Sequence, residues 1–236
     1  MTLPRIVDAL LPDDPVIIEV GSNIGASLVQ IKLARPSAIV YCCEPSLRFV
    51  SVLRRNIASY GWRDVEVIEA VLASGVERRP LYSNTSTASV VAADYGSHEF
   101  LAATTVETTT LDAAFATLER LDLVKVDTDG FDYDVLLGGE CLLRQFRPVV
   151  HFEFAPNLLD AAGRHPRDAV QYVQSLGYRT LLLLELDGTP LATSSDPEEI
   201  VALAREHNYV DVVAVHEATE EGLRSLEGLM AATTPS

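Results

Sequence analysis

Short apolar runs alternate along the chain with longer stretches whose apolar residues recur at helical spacing. Residues 15–20 (PVIIEV) are apolar except for Glu19 and run directly into a glycine turn, which predicts a buried strand. Residues 24–33 place Leu28, Ile31 and Lys32 on one face and predict a helix. Residues 38–43 (AIVYCC) predict a second buried strand. Ser46 is the expected N-cap of a helix over 47–60 that Gly61 ends, and 65–71 predicts a third strand. The middle is less regular: strands over 79–83 and 104–111, a polar loop over 84–89 and a short helix over 112–118. Regularity returns with a strand over 121–126, a helix over 133–145, a strand over 148–154 and a helix over 167–176 closed by Gly177. A strand over 178–185, a helix over 197–205 and a last strand over 209–215 follow, and the final twenty or so residues read as a helix with a frayed tail.

This alternation predicts an α/β fold, a mostly parallel sheet with helices on both faces. The 236 residues suit a single domain, with a core over about 15–216 and short helical extensions at both ends. In such sheets ligands bind beyond the carboxyl ends of the strands, where the strand order reverses.

Composition is ordinary for a globular protein, and charge narrows the partners. The net charge of −16 opposes binding to a phosphate backbone, so nucleic acid is not an expected partner. Cys42, Cys43 and Cys141 form no CxxC or zinc spacing and read as buried free thiols of a cytoplasmic protein. The first residues do not read as a signal peptide, so none is expected, and no apolar run reaches the ~18 residues of a membrane span.

The chemistry begins at Glu19-Val20-Gly21-Ser22-Asn23-Ile24-Gly25, a glycine turn between a strand and a helix. Gly21 allows a sharp bend and the close approach of a ligand, while the helix start favours an anionic group. A dinucleotide site wants glycine at the third position, where Asn23 stands, so the turn suits S-adenosylmethionine better than a nicotinamide cofactor. Glu44 closes the second strand, where a carboxylate can accept both ribose hydroxyls, and Pro45 stiffens the chain after it. Ala70, after the third strand, is the expected neighbour of the adenine edge. Trp62, Tyr82 and the 84–89 loop are candidates for the adenine or acceptor wall, with plain packing the stronger reading for Trp62.

An ordered series of motifs resembles the FkbM family of methyltransferases. It comprises the Glu19–Gly25 turn, Glu44-Pro45-Ser46, Asn56, Thr110-Leu111-Asp112, the stretch from Leu123 to Asp132, Val135-Leu136-Leu137-Gly138-Gly139, Pro148 and Glu153. The resemblance covers about 16–177. It implies a Rossmann-like, seven-stranded sheet whose last strand is antiparallel, and S-adenosylmethionine-dependent transfer to a hydroxyl of a small metabolite, sugar or natural-product scaffold. Where the family commonly has Asp-Val-Glu-Gly-x-Glu, this chain has Asp127-Thr128-Asp129-Gly130-Phe131-Asp132, with both glutamates shortened.

Those acids are the candidate catalytic groups. A hydroxyl acceptor needs a base for its proton, and Asp127, Asp129, His151 and Glu153 are the candidates, with Asp127 also placed near the cofactor. Alternation puts Lys125 and Asp127 on one side of their strand, and gives His151 and Glu153 a common face. No fixed spacing points to a metal. The competing functions are a nicotinamide-dependent oxidoreductase and a non-catalytic descendant that binds cofactor or a partner.

Overall fold

A computed structural model describes residues 2–83, 87–90, 102–218 and 228. The chain opens with α1 (Thr2–Leu10), β1 (Val16–Val20), α2 (Ala26–Ala34), β2 (Ile39–Cys43), α3 (Leu47–Tyr60) and β3 (Val65–Ile68). Next come β4 (Val71–Leu72), β5 (Arg78–Ser83), β6 (Ala88–Ser89), β7 (Ala102–Thr109), α4 (Leu111–Ala114) and β8 (Leu123–Val126). The remainder is α5 (Asp132–Leu137), α6 (Glu140–Phe146), β9 (Val149–Phe154), α7 (Pro156–Ala161), α8 (Pro166–Ser175), β10 (Leu181–Leu184), β11 (Pro190–Ser194), α9 (Pro197–Glu206) and β12 (Val210–Ala214).

The main sheet has the order β11-β10-β12-β9-β8-β1-β2-β3. β3, β2, β1, β8 and β9 run parallel, and β12 is antiparallel to both β9 and β10. The antiparallel last strand is as expected. The sheet has eight strands rather than seven because β10 folds back on β11 as an edge hairpin. β11 (PLATS) is short and half-polar, so it carries little strand signal of its own.

The inner strands are buried on both faces, as parallel strands under helices must be. Ile18, Val20, Val124, Val126, Val150 and Phe152 belong to one apolar cluster. Ile17, Leu123, Val149 and Val213 join Leu28 and Ile31 of α2 and Leu3, Ile6 and Val7 of α1 in the other. The N-terminal helix is therefore a core element rather than an appendage.

Two expected elements divide differently. The 65–71 strand ends at Ile68, and Val71–Leu72 pairs instead with β7 in a second sheet of order β4-β7-β5-β6. The 133–145 helix breaks at Gly138-Gly139 into α5 and α6. A Cβ on Gly138 would lie 2.0 Å from the Ala73 carbonyl oxygen, and one on Gly139 would lie 2.6 Å from Leu111 Cδ1's sister Cδ2, so both glycines serve close packing at this corner. The Asp112 carboxylate accepts the first amides of α6, from Cys141 at 3.0 Å and Leu142 at 2.9 Å, which anchors the corner to α4. Cys42 and Cys43 are buried, but Cys141 is exposed, because it faces outward on the first turn of α6. The expected C-terminal helix and tail lie outside the described residues, apart from residues up to 218 and residue 228.

Candidate active site

Strand order reverses between β8 and β1, since β2 and β3 lie on one side of β1 and β8 and β9 on the other. Two loops meet there. After β1 the backbone turns through Gly21 at φ +84°, and the Gly21 and Ser22 amides both donate to the Cys43 carbonyl, at 3.0 and 3.1 Å. Asn23 (φ 48°) and Gly25 (φ 92°) are also left-handed, and the turn delivers the chain into α2. Asn56 of α3 donates from Nδ2 to the Ile24 carbonyl at 2.8 Å and ties the turn down from outside.

Gly21 makes the expected sharp bend and has a further duty. A Cβ there would lie 1.8 Å from the Asp127 carbonyl oxygen, so the glycine also lets the β1 and β8 loops touch. This brings the Asp127-Thr128-Asp129 segment against the glycine turn.

Glu44 braces the other side. Its Oε2 accepts the Asn23 amide at 2.8 Å and its Oε1 the Ser46 amide at 2.9 Å. Ser46 occupies the N-cap position of α3, yet its side chain makes no capping bond, and the acid two residues earlier satisfies its amide. Burial raises the Glu44 carboxyl above its usual range, and the two amide bonds only partly offset that.

A cavity of about 570 Å³ opens over this junction. That lies within the usual span for small-molecule sites, about 300–1,000 Å³. Gly21, Ser22, Asn23, Glu44, Pro45, Ala70 and Asp127 all line it, as the sequence suggested for a cofactor site. Asp129 lines it as well. Thr87 and Ser89, from the polar segment expected to be a loop, form part of the opposite wall around β6, together with Leu81 of β5. Residues 84–86 of that segment lie outside the described residues.

Four candidates are placed elsewhere. Among the described residues that line the cavity, Glu19, Gly25, His151 and Glu153 do not appear. Glu19 is fully buried on β1 beside Cys42, and desolvation raises its carboxyl despite the Lys125 ammonium. Gly25 faces Leu53 of α3. His151 is the register partner of Lys125 and sits 3.7 Å from Asp211 on β12. Glu153 borders a separate small void. Trp62 stacks on Tyr60 with ring centroids 4.5 Å apart, consistent with plain packing, and Tyr82 is not among the described lining residues.

The acids on the cavity floor differ in environment. Lys125 is 5% exposed and its Nζ donates to Asp127 Oδ2 at 2.9 Å. Desolvation works against the Asp127 charge, and the Lys125 ammonium more than offsets it, so the carboxyl is held below its usual value. Asp129 sits at φ 54° with its Oδ2 accepting from the Thr87 hydroxyl. Burial, reinforced by the Asp127 charge, pushes this carboxyl up. Two neighbouring acids are thus driven apart, one firmly ionised and one nearer neutrality. Sequence reasoning missed Phe131, which lines the cavity and packs under the Arg79 guanidinium of β5 at 4.9 Å. No group of three or more His, Cys, Asp or Glu is arranged to hold a metal among the described residues.

This sheet order and the cavity at its switch point define a Rossmann-like methyltransferase fold. A solved FkbM methyltransferase from Methylobacillus flagellatus superposes with a TM-score of 0.59 at 13% identity, covering 92% of this chain and 48% of that one. The fibrillarin pre-rRNA processing protein of Methanococcus jannaschii superposes at 0.50 and 13% identity, covering 91% of this chain and 73% of that one. At such identities the likeness is one of fold. The methyltransferase FkbM domain model matches residues 19–180, and the chain belongs to this family. A 2-O-methyltransferase, NoeI, of Sinorhizobium fredii is 28% identical over 157 residues, which is 61% of this chain and 65% of that protein. The chain thus spans less than two thirds of the length of the Methylobacillus flagellatus methyltransferase and of NoeI. No helix among the described residues is long and apolar enough to cross a membrane.

Proposed function

We propose that the chain is an O-methyltransferase that uses S-adenosylmethionine and a small hydroxylated acceptor such as a sugar or other polyol. One observation carries the reading: a single cavity joins the Gly21 turn, the Glu44 carboxylate and the Asp127–Asp129 pair. The fit to the cofactor rests on this donor set. The start of α2, where Ala26 and Ser27 face the cavity, suits the cofactor's carboxylate. Glu44 spends one bond per oxygen on the backbone and keeps acceptor capacity on both for a ribose diol. Ala70, Val71 and Leu72 offer an apolar surface for the adenine.

When bound, the cofactor would supply an electrophilic methyl group on a sulfonium for in-line transfer to an acceptor oxygen. Asp127, kept ionised by Lys125, places negative charge beside that cation. Asp129 is the base: its raised carboxyl accepts the hydroxyl proton as the new bond forms, and Thr87 fixes its orientation. The acidic floor favours a neutral or cationic acceptor over a phosphate or carboxylate. The family match supports this over the nicotinamide reading, and the relative's printed 2-O specificity favours oxygen as the target atom.

The test is transfer of label from methyl-labelled S-adenosylmethionine to a panel of sugars, polyols and phenols. The reading requires labelled product whose formation collapses in Asp129→Asn. Tight cofactor binding with no transfer to any hydroxyl would favour the non-catalytic alternative.

A further inference from the structure

Behind the cavity floor lies a second, much smaller void of about 10 Å³, bordered by Asp132, Glu153, Gly130 and Tyr133 and closed by Phe152 and Leu159. It admits a single water at most. Asp132 is 3% exposed and uses one oxygen only: Oδ2 accepts the Thr128 hydroxyl at 3.0 Å and, more weakly, the Thr128 amide at 3.4 Å. Its Oδ1 is buried without a hydrogen-bond partner among the described residues. An orphaned buried carboxylate oxygen is costly, so a donor is missing from this side of the void.

The surrounding charge makes the deficit worse. The charges of Asp127 and Asp129 on the β8 loop act on both Asp132 and Glu153, and Asp211 of β12 acts on Glu153 as well, while the Tyr209 phenol, just before β12, is close enough to feel the Glu153 charge. Lys125 is committed to Asp127, and His151 lies beside Asp211 with neither ring nitrogen hydrogen-bonded among the described residues. Leu159 of α7 and Ala169 of α8 close the remaining sides and bring no charge. Like charges this close cannot all remain ionised.

We infer that Glu153 carries a proton at neutral pH and reaches Asp132 Oδ1 through one water in the void they both border, so that the two carboxyls share one negative charge. The partly protonated pair positions Thr128, and through it the Asp127-Thr128-Asp129 segment that floors the cavity. Asp132 thereby has both oxygens satisfied, Oδ2 by Thr128 and Oδ1 by the water that Glu153 holds. Burial and the neighbouring acids push both carboxyls upward, Glu153 the further, which places the proton on Glu153. Glu153 is on this account a positioning residue and not the base. The bearing on methyl transfer rests on the function proposed above; the shared proton does not.

The sign follows from linkage. A carboxyl whose folded value is raised contributes stability that is complete below its ordinary value and lost as pH rises toward the folded value of about 9. Each proton held by the folded state and released by the unfolded one lowers the folding constant about tenfold per pH unit.

The experiment compares wild type with E153Q, whose amide can donate to Asp132 at every pH, and with E153A, which cannot. Urea unfolding is followed from about pH 6 to about 7.5, a unit below the ordinary cysteine value of ~8.5. Wild type is expected to lose folding constant about tenfold per unit more steeply than E153Q. S-adenosylhomocysteine is expected to bind E153Q more tightly than E153A. Parallel stability slopes for wild type and E153Q overturn the inference. Should E153Q not fold, the Glu153 side-chain carboxyl carbon in isotope-labelled wild type decides: the acid form at neutral pH supports the shared proton, and an ordinary titration near pH ~4 overturns it. Failure of wild type to bind S-adenosylhomocysteine would remove the cofactor reading and leave the titration result standing.

Discussion

Replacing Gly21 with alanine tests how the two loops of the site are joined. Two costs are separable. Holding an L-residue in the left-handed region costs about 1–2 kcal/mol. The second cost is steric: the new Cβ would lie 1.8 Å from the Asp127 carbonyl oxygen and 2.8 Å from its carbon, both backbone atoms that no rotamer change can move. Forced overpacking of this kind costs about 1–3 kcal/mol. Gly21→Ala is therefore expected to lose about 2–5 kcal/mol, a large share of the ~5–15 kcal/mol that stabilises a typical domain. Gly61 provides the control, because it too is left-handed (φ +70°) and a Cβ there meets nothing within 4 Å. Gly61→Ala should lose only the conformational part, about 1–2 kcal/mol. Urea unfolding of the two variants measures the difference, and calorimetry with S-adenosylhomocysteine shows whether displacing Asp127 also weakens binding. Equal losses at the two positions would refute the steric argument, and with it the claim that Gly21 exists to let the β8 loop approach.

Glu44→Ala should weaken cofactor binding by about 1.5–3 kcal/mol, roughly tenfold to 150-fold in Kd, and an unchanged Kd removes Glu44 from the ribose. Lys125→Met leaves Asp127 and Glu19 without their cation; because the Asp127 side chain is 49% exposed, the loss should fall at or below the ~3–5 kcal/mol of a fully buried pair, and unchanged urea stability would contradict it. Asp129→Asn should lower turnover about 10²–10⁴-fold while cofactor affinity is largely kept, and a matching loss of affinity would make Asp129 a binding group instead. Glu44 and Asp129 both have raised carboxyls, so binding and turnover should fall on mild acidification, above the usual carboxylate range. The same groups favour the folded state at low pH and cost stability as pH rises, so activity should be lost on acidification before the fold is; simultaneous loss in a combined pH–activity and pH–stability profile would speak against this.

The strand–turn–helix at Gly21 and the acids after β8 were legible because both sit where an apolar run ends and small or acidic residues begin. Parity along β9 was read correctly and still misled. Alternation places His151 and Glu153 on the side of Lys125, but it identifies a face and not a depth. At His151 that face is covered by α1 and α2, whose apolar residues cluster with Val149 and Val213, whereas Glu153, near the strand end, borders the small void by α7 and α8. The cavity opens only past the strand ends, where Asp127 lies and His151 does not. The outer wall was legible as polar residues, Thr87 and Ser89, but not as a wall, because β6 has only two residues, too few to show an alternating pattern, and gains its strand character from pairing with the neighbouring β5. The break at Gly138-Gly139 was visible as two helix-disfavouring residues inside an apolar period. Its reason lies in Ala73 and Leu111, which the helical pattern itself does not contain.

The central claim is that the cavity between the Gly21 turn and Glu44 takes a sulfonium nucleoside. Titration calorimetry of the intact chain with S-adenosylhomocysteine is the most direct check. One site per chain, saturable and weakened in Glu44→Ala, is the expected result; no heat and no competition by S-adenosylmethionine up to about 1 mM, the affinity of a bare ~4 kcal/mol contact, would contradict it.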